Sequence, residues 1–231
     1  MIRFTSTMMK KTPKFHVSTE ELVIESGEGA PIAEVKKFAD TISLQWKEGR
    51  IQSHSPVLLL LGGFQGSGKT TTAQVLNTDS EFIVISPDEV RYILFTAEIP
   101  FSKSFVVLVN AIKFELLKRA LRTGSSVIID QALTPERVRL VEQVVHSYPH
   151  YQVTSVFLYA PEEVLRKRVG ERPQLAGRYK GTVEELKASM KIYAEWYGDP
   201  LRSGYDIVID TTNSTPFAVA QKIKEYITCK M

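Results

Sequence analysis

The segment Leu60-Leu61-Gly62-Gly63-Phe64-Gln65-Gly66-Ser67-Gly68-Lys69-Thr70 satisfies G-x-x-x-x-G-K-[ST] from Gly63 to Thr70. An apolar, strand-like run, Val57–Leu61, leads into it, and a helix-spaced segment, Lys69 through Leu76, leads out. Gly63, Gly66 and Gly68 clear side chains from the turn, so that the backbone N–H groups around Gln65, Gly66 and Ser67 can curl about phosphate oxygens. The helix that opens at Lys69 adds the positive end of its dipole, with Thr71 in its first turn. Lys69 neutralises β and γ charge, and the Thr70 hydroxyl suits Mg²⁺. The segment therefore predicts a nucleoside triphosphate site, with ATP and Mg²⁺ as the expected ligands.

Working outward, four more strand candidates follow, separated by helix-period segments: Phe82–Ile85, Val127–Ile129, Val153–Leu158 and Ile207–Ile209. Helix-start signals stand between them. Thr134-Pro135-Glu136, Thr182-Val183-Glu184-Glu185 and Thr215-Pro216 offer N-cap oxygens, and Ser86-Pro87-Asp88-Glu89 reads as an N-cap with a capping-box Glu. The alternation predicts an α/β fold, a doubly wound five-stranded parallel sheet over residues 56–231. Residues 1–55 break the pattern. Met1 to Thr19 carries Arg3, Lys10, Lys11 and Lys14 without an acid and reads as a basic tail. Pro31 to Arg50 places Ile32, Val35, Phe38, Ala39, Ile42 and Trp46 on one helical face, which is expected to pack on the main domain, with a partner-binding face as the alternative. Gly49 to Pro56 reads as the linker.

Composition narrows the class. Across 231 residues, 43% hydrophobic and 24% charged residues with 13 Gly and 11 Pro match an ordinary globular chain, excluding collagen-like and disordered readings. Cys229 is the only cysteine, so no intramolecular disulfide or cysteine zinc site can form, which suits a reducing, cytoplasmic setting. No apolar run approaches the ~20 residues of a membrane span, so no membrane partner is expected. The net charge of +3 does not announce a nucleic-acid partner by itself.

The segments after the strands carry the candidate chemistry. A GTPase would need N-K-x-D and a D-x-x-G after the third strand, and an AAA-type ATPase a Glu beside the strand-end Asp. Here that strand runs into Asp130-Gln131-Ala132-Leu133. Transfer of phosphate to a bound acceptor remains. Asp88 and Arg91, three apart after the second strand, share a helix face at the carboxyl edge of the sheet. Asp88 can take the proton of an attacking hydroxyl while Arg91 holds a phosphate or orients the acid, or Asp88 can simply complement the helix dipole. From Arg166 to Lys180, six basic residues, among them Arg168 and Arg172, face one acid, Glu171, in a Gly/Pro-interrupted segment. That composition suits a lid over a triphosphate at about 166–181, or an ordinary solvated loop. Asp130 stands where a carboxylate holds Mg²⁺ through water, or fixes an acceptor group, or turns the chain. Asp210-Thr211-Thr212-Asn213 reads equally as an adenine-lining loop and as turn chemistry.

These residues resemble the kinase branch of P-loop proteins that contains the zeta toxins, the 5′-hydroxyl polynucleotide kinases and the chloramphenicol phosphotransferases. Leu60-Leu61-Gly62-Gly63 running into the phosphate loop, behind a helical extension, looks like the zeta toxins. Asp88 with Arg91, Val127–Asp130 followed by Thr134-Pro135-Glu136-Arg137, and the Arg168/Arg172 pair look like the polynucleotide kinases. The resemblance implies Asp88 as general base, Arg91 as the group positioning acceptor or phosphate, Lys69 and Arg172 as stabilisers of the transferring phosphoryl, and Thr70 as an Mg²⁺ ligand. The expected reaction is ATP- and Mg²⁺-dependent transfer to a hydroxyl of a polynucleotide 5′ end, a nucleotide sugar or a small metabolite. A nucleotide-controlled interaction module, in which residues 1–50 grip a partner, and a nucleic-acid-stimulated ATPase are the alternatives. An inhibitory protein partner stays open.

Overall fold

Because β-branched and leucine-rich runs alternate with capped helices, the chain closes into one five-stranded, all-parallel sheet with helices on both faces. The computed structural model describes residues 19–46, 55–78, 81–131, 134–173, 181–199 and 204–230. The strands are β1 (Val57–Gly63), β2 (Phe82–Ile85), β3 (Ser126–Asp130), β4 (Gln152–Tyr159) and β5 (Ile207–Asp210), in the order β2-β3-β1-β4-β5. β1 lies in the middle, with Leu61 level with Asp130 on one side and Val156 on the other. All five expected strands are present, each within two residues of its expected ends.

The helices are α1 (Thr19–Ser26), α2 (Ile32–Ser43), α3 (Lys69–Leu76), α4 (Pro87–Thr96), α5 (Lys103–Arg122), α6 (Pro135–Val145), α7 (Glu162–Glu171), α8 (Val183–Tyr197) and α9 (Pro216–Lys230). Alternate residues of β1 serve the two faces. Leu58 and Leu60 join the core formed with α2, α4, α5 and α6, while Val57, Leu59 and Leu61 join the core formed with α3 and α9. Thr182 closes a reciprocal capping box with Glu185, and Thr134 caps α6 through Arg137 N. At Ser86 the expected side-chain cap is not made; Pro87 at the first helical position, with its fixed φ and no N–H to satisfy, starts α4 instead.

The expected amphipathic helix ends at Ser43, and its apolar face packs inward through Phe38, Ala39 and Ile42, whereas Ile32 stays exposed. Residues 1–18, most of the basic tail, and 47–54, most of the linker, lie outside the described residues. The helix α1 was not foreseen in the sequence. Both α1 and α2 lie on α5. Arg119 of α5 bonds Asp40 at 2.6 Å and Glu115 at 2.8 Å, and Asn110 donates to the Ile24 carbonyl at 2.9 Å. At Gly27, with φ of +73°, an added Cβ would stand 2.3 Å from Ala111 N, so the end of α1 meets α5 backbone to backbone.

At the other end, Asp206 accepts from Ser155 N and Oγ, each at 2.8 Å, and from Lys230 Nζ at 2.6 Å, tying α9 to the sheet. Burial alone would raise the Asp206 pKa, but these donors prevail and hold it below its ordinary value.

Gly27→Ala is expected to lower stability by roughly 2–4 kcal/mol, from overpacking and a left-handed backbone together. Gly29→Ala, also at positive φ but with no neighbour within 4 Å, should cost only about 1 kcal/mol in the same urea titration. A carboxyl with a depressed folded pKa contributes stability above its unfolded pKa and loses it as pH falls through the folded one. Asp206→Asn should therefore lower the melting temperature at neutral pH, and the gap to the wild type should close as the pH is taken below about 4.

Candidate active site

The phosphate loop sits at the carboxyl end of β1, the central strand, where β1, β3 and β4 all open toward it. Ser67 N donates to the Phe64 carbonyl at 3.1 Å, closing the turn, and α3 begins at Lys69 and ends at Leu76, as its spacing predicts. Lys69 Nζ donates to the same Phe64 carbonyl at 3.0 Å. Burial lowers the Lys69 pKa, while the charges of Asp130 and Asp88 act to raise it and that of Arg172 lowers it further. The ammonium is thus desolvated yet held among carboxylates, a setting that favours an incoming polyanion.

Two groups press on the loop from outside. At Gly66, φ is +81° and a Cβ would lie 3.0 Å from the Leu165 carbonyl and 3.2 Å from Val169 Cγ2, so α7 rests against bare loop backbone. Gln65 extends to Gly181, where a Cβ would stand 2.2 Å from its Oε1, and that oxygen is buried without a hydrogen-bond partner among the described residues. The Ser67 hydroxyl is in the same condition. The buried Ser67 hydroxyl can donate to a phosphate oxygen, which fits a site completed by triphosphate, whereas the Gln65 oxygen is an acceptor that calls for a donor instead.

Across the loop, Thr70 Oγ1 donates to Asp130 Oδ2 at 2.8 Å. Burial raises the Asp130 pKa, opposed by Lys69 and by the Thr70 hydrogen bond. A hydroxyl and a carboxylate oxygen are hard donors, and a pair of them suits Mg²⁺, which completes its shell with water and phosphate oxygens. Among the described residues no cluster of three His, Cys, Asp or Glu could hold a metal by protein ligands alone. Asp88, at the amino end of α4, forms an ion pair with Arg91 across one helical turn. Its side chain is 81% exposed, yet its charge reaches both Lys69 and Asp130. The structure therefore brings Lys69, Thr70, Asp130 and Asp88 to one sheet edge.

The basic segment divides. Arg166, Lys167 and Arg168 belong to α7, Arg172 follows its last turn, and residues 174–180 lie outside the described residues. Arg172 is exposed, and its charge acts on both Lys69 and Asp130. Arg168 is not a free arm. Its guanidinium donates to Gly66 O at 3.3 Å, to Thr211 Oγ1 at 3.1 Å, to Thr211 O at 2.7 Å and to Thr212 O at 3.1 Å, joining α7, the phosphate loop and the turn after β5. The Asp210 carboxylate accepts from Thr212 N at 2.7 Å, so turn chemistry accounts for that residue. Sequence reasoning missed Arg168 as a clamp because its acceptors, three of the four of them backbone carbonyls, lie 43 to 102 residues away, where no local spacing connects them.

A second group was not foreseen at all. Glu25 of α1 receives a two-pronged bond from Arg137 of α6, Nε to Oε2 at 2.8 Å and Nη2 to Oε1 at 2.7 Å. Beside it lies Lys113 of α5, 1% exposed, with Nζ on Asn110 Oδ1 at 3.2 Å. The only sequence signals were a basic residue at an otherwise apolar helix position and the Thr134-Pro135-Glu136-Arg137 helix start.

Residues 58–195 match the AAA_33 family, described as an AAA domain. Among solved structures, a candidate kinase from Chloroflexus aurantiacus is similar at 21% identity with a TM-score of 0.57, over 77% of this chain and 99% of that one. The tunicamycin resistance protein of Deinococcus radiodurans is similar at 20% identity with a TM-score of 0.53, over 75% of this chain and 95% of that one. Both share the fold. No curated protein matches the chain by sequence. With well over half of its length, the phosphate loop and Asp130 included, inside the family match, this chain belongs to the AAA_33 family.

Proposed function

We propose that this protein is an ATP- and Mg²⁺-dependent phosphotransferase that moves the γ-phosphate to a hydroxyl, on an acceptor of the polynucleotide 5′-end, nucleotide-sugar or small-metabolite class. The observation that carries this reading is the convergence of Asp88 on the phosphate loop. An exposed carboxylate, steered by Arg91, stands close enough to act on Lys69 and on the Thr70–Asp130 pair. The likeness to a candidate kinase, at the level of fold, is consistent with it.

In the reaction, the Asp88 carboxylate accepts the acceptor's hydroxyl proton as the oxygen bonds to the γ-phosphorus. The bond from that phosphorus to the β,γ-bridging oxygen breaks, its electron pair leaves with ADP, and the proton remains on Asp88 until solvent takes it. Lys69 and Arg172 face the charge that spreads over the transferring oxygens. Mg²⁺, when bound, neutralises phosphate charge, and Thr70 and Asp130 are the residues that would hold it, directly or through water. Gln131 follows Asp130 in place of a water-orienting carboxylate, which disfavours simple hydrolysis. Arg91 holds the Asp88 carboxylate through their ion pair.

Transfer of γ-labelled phosphate to a 5′-hydroxyl oligonucleotide, UDP-N-acetylglucosamine and small aminoalcohols tests the reading. Label is expected on one acceptor, and Asp88→Asn should reduce it by about 10²–10⁴-fold while ATP still binds. Full transfer by Asp88→Asn would remove the assigned base. Lys69→Ala should cost about 10²–10³-fold in the same assay. For Arg168, Gln is expected to weaken ATP binding and lower the melting temperature together. Lys in its place should rescue neither, because an ammonium cannot serve acceptors spread over the planar fork.

A further inference from the structure

Lys113 is an anomaly in energetic terms. Its ammonium lies on the most buried face of α5, 4.3 Å from the Phe114 ring centroid, and its one hydrogen bond among the described residues goes to a neutral amide, Asn110 Oδ1, so no carboxylate bonds it directly there. Buried charges in proteins are ordinarily paired, because an unpaired one costs several kcal/mol. A carboxylate is at hand in Glu25, yet both Glu25 oxygens are taken by Arg137. Burial and the Arg137 charge push Lys113 down to about 7, with Glu25 opposing and Arg91 adding to the fall. For Glu25, burial acts to raise the pKa, but the Arg137 fork and the charges of Lys113 and Arg91 hold it below the usual carboxylate range. The charges of Arg91 on α4 and Arg137 on α6 thus both act on Lys113 of α5, and Asn110, which bonds Lys113, also bonds the carbonyl of Ile24 next to Glu25.

The cluster has a floor and a rim. Lys113 lies at the bottom, while the side chains of Arg137 and Arg91 are 26% and 38% exposed. Arg91 also pairs with Asp88, so the rim runs directly into the proposed base. An acceptor whose hydroxyl met Asp88 would have Arg91 as its neighbouring cation.

We infer that Arg91, Lys113 and Arg137 form an oxyanion subsite of the acceptor pocket, closed by Glu25 of the amino-terminal helix, so that the acceptor carries a phosphate or carboxylate besides its hydroxyl. This rests on the phosphotransfer reading and narrows it. Polynucleotide ends and nucleotide sugars fit the subsite, whereas cationic aminoalcohols do not. Glu25 occupies Arg137 as an acceptor anion would and competes with it. Removing Glu25 and removing Lys113 must then act in opposite directions.

The test uses the full chain saturated with Mg·ADP, so that the phosphate loop is filled, and titrates sulfate by calorimetry. The wild type should bind one sulfate, Lys113→Met should weaken that binding about 10–100-fold, and Glu25→Gln should tighten it several-fold. Lys113→Met should also leave the melting temperature unchanged or raise it, since an apolar isostere removes a buried, poorly paired charge. Acetate titrated in place of sulfate separates a planar carboxylate preference from a tetrahedral phosphate one. Absence of sulfate binding to the nucleotide-loaded wild type, or sulfate binding indifferent to Lys113→Met, overturns the subsite. So does a Glu25→Gln variant that stays folded and binds sulfate no better than the wild type. These outcomes leave the phosphotransfer reading standing, which fails separately if Asp88→Asn transfers label at the wild-type rate.

Discussion

The close approach of α7 to the phosphate loop is the contact on which the site depends. Gly66 has no side chain, so Leu165 O and Val169 come to rest against the loop backbone, and Arg168 then reaches the Gly66 carbonyl. That same guanidinium holds the turn after β5 through Thr211 and Thr212. A cradle made of backbone N–H groups has no side-chain packing of its own to keep it curled. Here it is held in shape from outside, by a helix seated on glycine and by one guanidinium spanning three segments. α7 leads straight into Arg172, so displacing α7 would disturb the loop and the proposed phosphoryl-stabilising residue together.

On the opposite side of the site, α5 has the equivalent part. It carries α1 and α2 on its back through Gly27, Asn110 and Arg119, and it contributes to the core under β1 and β3. The extension is therefore bound by backbone contact and charge pairing as much as by the apolar face of α2. A helix meant only to present a surface to a partner would not need Gly27 pressed on Ala111, nor two bonds from Arg137 to Glu25.

How much of this could be read from the sequence follows from the range of the interactions involved. The five strands were legible because each is a short apolar, β-branched run, and β1, buried along its whole length, is the clearest of them. The boundaries of α3 were legible because the phosphate loop sets its start. The Asp88–Arg91 pair was legible because three residues along a helix is a fixed geometry. Three things were not. Ser86 has the identity of an N-cap, yet its hydroxyl makes no cap bond, while Thr134, likewise followed by proline, does. Arg168 looked like a mobile arm because its composition is that of its neighbours, while its role is set by carbonyls that any residue would present. The Glu25–Arg137–Lys113 group joins residues up to 112 apart, and no spacing rule connects them.

That last group bears on what the family match leaves out. The matched region begins at residue 58, so Glu25 lies outside it, whereas Lys113 and Arg137 lie within. Within the matched domain Lys113 is buried and Arg137 half-buried, and the carboxylate that Arg137 grips with two bonds, Glu25, comes from outside it. Repulsion between Lys113 and Arg137 in a poorly solvated place would cost stability unless an anion stood nearby. In this chain the anion is supplied by α1. In the proposed subsite, the extension answers this electrostatic problem with a carboxylate that a substrate anion would replace. Charge pairing between Glu25 and Arg137, beside the backbone contact at Gly27, is what ties α1 to the main domain.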